Sequence, residues 1–516
     1  MRKNIIFIIA LAVFTIGCSE EFLETEPTEL ISAKRIGEIS QINPGLQISS
    51  LQGIYANMYL TGTGGTTGHD DHGQKGYDTF SDFLSGDMVL GNTIYGWYST
   101  WTQYLLTVDF TSNRNYMFWR YYYRIIFGAN IVIDALGGED VTPETPEGRH
   151  IMGQAKAMRA YGYFYLAQFF DEEYNPASML IPIYRNTTDP NQPLSPTSEV
   201  YDLIVSDLTD AIGLLEDFSR PGKFAVNQDV ARGLLAYTYA AMGEDANAAA
   251  QAKAVIDAGN FTIKSMEIKG DSIAGYREIA TRGAEIERIP LTDLTDGFNN
   301  VASPSWMWGT DLTADMGLGL ISWWGKQDVF SYSYAWAGDY KSINYELYQA
   351  IPEDDIRKQQ FSQFTADDFV STNKFYADDA RRIGGTSRTV TADLVYMRIE
   401  EMYLLHAESA AKAGDEAAAK ASLKAVLEQR VPDASYVDAL SGQDLLEEIF
   451  LQTRIEFYGE GKSYLLKKRN RIDVVTGSNH IHIPSTTIPI NSDELTVEVP
   501  QLEIQNNPEI SISDIE

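Results

Sequence analysis

The chain has 516 residues, 44% of them apolar and 22% charged, the balance of a folded globular protein with a sizeable core. Forty basic residues against 72 acidic ones give a formal charge of −32, which argues against sequence-independent nucleic-acid binding, because phosphate contacts need a cationic surface. A single cysteine excludes an intramolecular disulfide framework and any zinc or iron–sulfur centre built on clustered thiolates.

In chain order, Arg2 and Lys3 precede an almost unbroken apolar run from Ile5 to Ile16. The run is too short to span a bilayer comfortably as a mature helix and reads as a secretory signal. It ends Thr15-Ile16-Gly17-Cys18, which resembles a bacterial lipobox, although Thr15 stands where Leu is usual. That likeness implies a signal peptide of residues 1–17, acylation of Cys18, and a mature chain 18–516 held to a membrane by its lipid. Ser19-Glu20-Glu21 resembles the export signal of surface lipoproteins in Bacteroidetes-type bacteria. No later stretch is long and apolar enough to span a membrane.

Helical periodicity dominates the body. Pro- and Gly-rich loops at 137–148 and 182–196 bracket a segment, Ile151 to Phe170, that is apolar on most sides. Ala155, Ala160, Gly162 and Ala167 within it would let helices approach closely. Leu203, Ile204, Leu208, Ala211 and Leu215 share one helical face, with Thr197 or Ser198 as cap and Glu199 in the first turn. Further stripes run Val230, Leu234, Tyr237, Ala241 and Ile399, Met402, His406, Ala410, Ala413. Gly243-Glu244-Asp245 followed by Lys253-Ala254-Val255-Ile256 resembles Gly414-Asp415-Glu416 followed by Lys424-Ala425-Val426-Leu427. Each reads as a helix–Gly turn–helix hairpin of tetratricopeptide (TPR) length. Hairpins so far apart cannot form an uninterrupted solenoid, so the intervening chain is expected to be an insertion or separate subregion. Residues 261–395 carry Gly, Asp, Ser and aromatics without a long helical stripe. The tail from Ile481, with Pro484, Pro489, Pro500 and Pro508, reads as extended strand and loop.

These landmarks together resemble the SusD/RagB family of outer-membrane lipoproteins. Tyr122-Tyr123-Arg124-Ile125-Ile126-Phe127-Gly128-Ala129-Asn130 is similar to its early aromatic helix, and Ala155-Lys156-Ala157-Met158-Arg159-Ala160-Tyr161 to its Ala-x-x-x-Arg-Ala-Tyr helix. Arg398-Ile399-Glu400-Glu401 through Ala407-Glu408-Ser409, then Arg454-Ile455-Glu456 through Glu460-Gly461-Lys462, follow its C-terminal helices. Ile488-Pro489-Ile490 and Gln505-Asn506-Asn507-Pro508 match its endings. Thr453, Lys462 and Tyr464-Leu465 depart from the family pattern. The resemblance implies a mainly α, SusD-like single body, with TPR-like helical hairpins within about 115–260 and 396–470. It adds an irregular, loop-rich, ligand-facing region at about 60–110 and 261–395. It further implies an outer-membrane, cell-surface protein that binds a glycan, or in the RagB branch a peptide, and delivers it to a SusC-type TonB-dependent transporter. No cofactor is expected.

All eight tryptophans fall in two windows, 97–119 and 306–336. Gly91 to Trp101 is too Gly- and polar-rich for a packed helix, and loop aromatics are less easily buried than those on a helical stripe. Exposed rings can stack on the C–H faces of sugars, and nearby amides and carboxylates can satisfy hydroxyls. The expected glycan-binding residues are Asn92, Tyr95, Trp97, Tyr98 and Trp101 from the first window, and Trp306, Trp308, Trp323 and Trp324 from the second. Trp119 is expected in the core. His69-Asp70-Asp71-His72 could suggest a metal, but the run is short, has no further distant ligand and reads as a solvated loop tip; His480-x-His482, read on one strand face, is a weaker signal, and no metal is expected. His406 reads as a core histidine. No Gly-x-Ser-x-Gly or His-Glu-x-x-His motif of a hydrolase occurs. Carboxylate pairs suited to glycoside hydrolysis arise by chance among 72. The charged residues of the C-terminal helices are expected in internal ion pairs. A binding protein for glycan, rather than peptide, is the favoured reading, and a surface glycoside hydrolase the least favoured.

Overall fold

The computed structural model describes residues 33–265, 276–279, 287–290, 298–377, 385 and 388–511. The leader, Cys18 and Ser19-Glu20-Glu21 lie outside the described residues. Helices α1 (Ala33–Ile42), α2 (Ile48–Asn57) and α3 (Gln74–Leu84) precede the long α4 (Asn113–Ala135) and α5 (Pro146–Phe170). Next come α6 (Thr197–Leu214), α7 (Gln228–Ala241) and α8 (Asp245–Ala258). The following region holds only the short α9 (Trp324–Gln327) and α10 (Tyr345–Ala350) among its described residues. The chain then forms α11 (Ile399–Lys412), α12 (Glu416–Leu427), α13 (Gly442–Glu456), α14 (Ser463–Arg469) and α15 (Gln501–Asn506). The tail is thus not wholly extended. It pairs one short strand, Thr487–Ile488, with Val474–Val475 and ends in α15.

Several helices start where the sequence supplies a side-chain cap. Ser112 accepts from Arg114 N at the head of α4, Thr145 from Gly148 N at α5, Asn227 from Val230 N at α7 and Asp415 from Ala418 N at α12. At α6 the expected cap moves. Pro196 occupies the cap position, and Thr197 is already helical, its hydroxyl donating to Ser178 O. Every residue of α5 from Ile151 to Phe170 is buried. Gly162 is the closest approach to α4, since a Cβ there would lie 2.7 Å from Ile126 Cγ1 and 3.2 Å from Tyr122 O.

From α4 to α8 each helix packs against the next, and α8 then packs against α11, which packs against α12 and α13. The two Gly-turn hairpins, with Gly243 at φ 74° and Gly414 at φ 91°, therefore adjoin through α8 and α11. The inserted chain interrupts the stack in sequence but not in space. Buried ion pairs hold the point of return. Arg398 at the head of α11 reaches Glu456 (2.7 Å), Glu460 (2.8 Å) and Glu400 (3.3 Å). Arg430 and Arg357 reach the same Glu456 carboxylate at 2.8 and 3.1 Å.

Two antiparallel pairings anchor the inserted region. Strand Met88–Leu90 pairs with Lys341–Ile343, which pairs with Phe369–Val370 and through it with Ser362–Gln363. Strand Trp306–Thr310 pairs with Leu394–Arg398, with irregular register beyond Val395. The first of these joins the neighbourhood of the first tryptophan window to the second.

Candidate functional site

The loop from Thr61 to His72 is shaped by its own carboxylates. Asp71 accepts from Gly64 N (2.8 Å), Thr66 N (3.0 Å) and Thr66 Oγ1 (3.0 Å). Asp70 takes Arg114 of α4 at 2.6 Å. The loop so fixed places the His69 ring in a stack on Trp97, with centroids 5.2 Å apart and planes 9° apart. His69 Nδ1 also shares a 2.5 Å hydrogen bond with the Tyr334 hydroxyl.

Tyr334 joins the two windows. Its ring meets Trp97 at 5.8 Å and Tyr95 at 5.2 Å, both near edge-on. Asp339 Oδ1 accepts from Ile94 N and from Tyr95 N, pinning the 92–97 loop to the 326–340 segment. Lys326 Nζ lies 3.7 Å from the Tyr334 ring centre and 4.2 Å from that of Trp97, packed against both rings. Burial, and then the neighbouring Lys341, push the Lys326 ammonium down to about 6. Burial and Lys326 likewise lower His69.

The expected site residues divide sharply. Tyr95 is 49% exposed, Asn92 is exposed, and Trp97 is half-buried. Tyr98, Trp101, Trp306, Trp308, Trp323 and Trp324 are all buried, none more than 4% exposed, and present no ring face to solvent. The expectation that these aromatics stay on surface loops fails: the first-window loop folds back onto helices, Trp306 and Trp308 lie on a buried strand, and Trp324 opens the short α9. Trp101 packs on Phe80 and on Phe118 of α4. Trp308 lies edge-on between Tyr161 of α5 and Tyr396, each 5.3 Å away, and its Nε1 donates to Phe224 O. Trp306 stands on the same strand, covered at every position. Trp323 and Trp324 pack on each other, and Trp323 on Phe375. Trp119 is buried, as expected.

The histidine motifs take structural roles. His72 is buried, with Nε2 3.2 Å from the Tyr98 hydroxyl. His480 and His482 sit in a loop rather than on a strand, and His480 Nδ1 accepts from His482 N and Ile483 N. His406 is buried in α11 against Ser422 Oγ at 2.7 Å. Among the described residues no group of three or more His, Cys, Asp or Glu is placed to hold a metal ion. In the sequence His69 stands out only within the His-Asp-Asp-His run, and Lys326 and Asp339 do not stand out at all beyond their position beside the aromatic windows.

Residues 57–240 match a family described as "Starch-binding associating with outer membrane", and residues 326–480 match the "SusD family". The two segments together span roughly two thirds of the chain, and the chain belongs to the SusD/RagB family. Among solved structures it resembles a SusD-like carbohydrate-binding protein from Bacteroides vulgatus, at 23% identity and TM-score 0.70, over 91% of this chain and 97% of that one. A SusD superfamily protein from Bacteroides thetaiotaomicron gives 21% identity and TM-score 0.69 over 92% and 99%. Surface glycan-binding protein A of Bacteroides thetaiotaomicron, in complex with laminarihexaose, gives 16% and 0.65 over 91% and 99%. At these identities the likeness is one of fold. No curated protein sequence matches. Among the described residues no helix is long and apolar enough to cross a membrane.

Proposed function

We propose that this protein captures an oligosaccharide or polysaccharide fragment at the outer-membrane surface and passes it to a SusC-type TonB-dependent transporter, without chemistry on the cargo. Cys18 would carry the lipid that keeps it there. The observation that carries the reading is the platform of Trp97 and Tyr95, cross-braced by His69, Tyr334 and Asp339. Rings held this way lose little freedom on binding, which favours affinity. The exposed ring of Tyr95 and the open part of Trp97 suit the C–H face of a sugar ring, and exposed Asn92 offers an amide to its hydroxyls. Family membership and the glycan-bound structural neighbour support the same reading.

The test is calorimetric titration of the chain from Ser19 onward against plant and host polysaccharides and a protein digest. A stacked ring contributes on the order of 1 kcal/mol, so Trp97→Ala should weaken glycan binding about fivefold, and Tyr95→Ala should act in the same direction. Chromatography of the ligand afterwards should show no product. Saturable binding to peptides alone, or glycan affinity indifferent to Trp97→Ala, would overturn the assignment. Turnover that disappears on replacing one carboxylate would make the protein a hydrolase.

A further inference from the structure

A second aromatic surface lies on α4, apart from the platform. Tyr116, Arg120, Tyr123, Arg124 and Phe127 recur at three- and four-residue spacing and so share one face of the helix. This face is not covered by α5. Phe127 is 54% exposed, Arg124 is exposed, and Tyr116 and Tyr123 are half-buried. The segment around Tyr184 to Asn191 and α15 stand opposite, and together they bound a groove of about 510 Å³. That volume falls in the range of roughly 300–1,000 Å³ typical of ligand sites.

The groove is built from fixed rings. Trp119 packs against Tyr123 at 4.9 Å, and Tyr123 meets Tyr184 edge-on at 5.8 Å. Glu503 of α15 holds the Trp119 indole, accepting from Nε1 at 3.0 Å, and its other oxygen accepts from Asn507. The Tyr123 hydroxyl is tied to Pro182 O at 2.7 Å. The lining thus combines aromatic faces with a guanidinium donor at Arg124 and a carboxylate acceptor at Glu503. Sugar hydroxyls both donate and accept, so a neutral polyhydroxylated ligand uses both signs.

The groove and the platform share two elements. Arg114, over the Trp97 ring at 5.8 Å, and Arg120 lie on the same helix. At about 1.5 Å per residue Arg120 is about 9 Å further along α4 and Phe127 about 20 Å. The 61–72 loop touches both surfaces: Gly65 lies against the Arg120 guanidinium, and His69 stacks on Trp97.

We infer that the groove lined by Tyr123, Phe127 and Tyr184 is a second saccharide subsite, and that with the Trp97 platform it holds one glycan chain several sugar units long. The inference rests on the capture reading above. Two linked sites raise affinity by an effective-concentration gain once a ligand spans both. The experiment titrates the intact chain from Ser19 with malto- and laminari-oligosaccharide ladders from disaccharide to octasaccharide, and with the parent polysaccharides. Affinity should rise stepwise, by tenfold or more, at the length that reaches both surfaces. Phe127→Ala and Arg124→Ala, both at exposed positions, should abolish that step and leave short-oligosaccharide affinity unchanged. Trp97→Ala should weaken all lengths. A length series without a step, or a step untouched by both α4 variants, overturns the subsite while leaving the platform intact. Loss of peptide binding in the α4 variants would make the groove a peptide site and also overturn it. If no member of either series binds the native chain, the capture reading itself fails for these glycans and the subsite with it.

Discussion

His72 stands three residues from His69 and is more deeply buried. Its ring is buried, Nε2 meets the Tyr98 hydroxyl, and Nδ1 has no hydrogen-bond partner among the described residues. Burial, followed by Lys326, pushes its pKa down to about 3, against about 6.5 in an unfolded chain. Between those values the unfolded state binds the extra proton, so stability falls as pH drops from about 6.5 toward 3. His72→Gln, which keeps a polar side chain without the titration, should flatten that part of the stability curve, measured as chemical-denaturation midpoint against pH. An unchanged slope would show that His72 is not the group responsible. At this scale the sequence revealed which residue types gather, but not which faces remain open. Trp97 and Trp101 differ by four positions in one Gly-rich loop, yet one reaches solvent and the other packs on Phe80. Nothing local separates them, because the partners that bury Trp101 come from α3 and α4.

Among elements, the amphipathic stripes were legible because burial on a helix is periodic. Leu203, Ile204, Leu208 and Ala211 of α6 are all buried, as are Val230 and Leu234 of α7. The strand Trp306–Thr310 was not legible as core, because it is buried on both faces and offers no alternation to read. The charged residues of the C-terminal helices read correctly as internal pairs, but not as a network. Glu456 at the end of α13 accepts from three guanidiniums, Arg398, Arg430 and Arg357. Burial alone would raise its pKa; Arg430 and Arg398 outweigh that and hold it well below the usual carboxylate range. Deleting one member of a buried ionic cluster leaves the others unpaired and costs about 3–5 kcal/mol. Glu456→Ala should therefore lower unfolding stability by that order in urea titrations, with the loss also visible in Arg398→Met. A cost under about 1 kcal/mol would mean that water replaces the carboxylate and that the cluster does not hold α11 to α13.

At the scale of the whole molecule, the insertion after α8 is tied to the helical stack on both its edges. Strand Leu394–Arg398 leads straight into α11, and its partner strand places Trp308 against Tyr161 of α5. The sheet that begins at Met88 carries the first window to the second. The platform therefore exists only when residues near 69, 97 and 334 are folded together. An insertion this interlocked should not melt separately, and residues 18–516 should unfold as one body. Far-UV circular dichroism reports chiefly the helices, whereas tryptophan fluorescence also reports Trp306, Trp308, Trp323 and Trp324 of the insertion. In thermal or urea unfolding the two signals should give coincident midpoints. A fluorescence transition that precedes the loss of helix would show the loop-rich region opening on its own. In that case the platform would be a mobile rather than a pre-formed surface, and the affinity expected from fixed rings would fall accordingly.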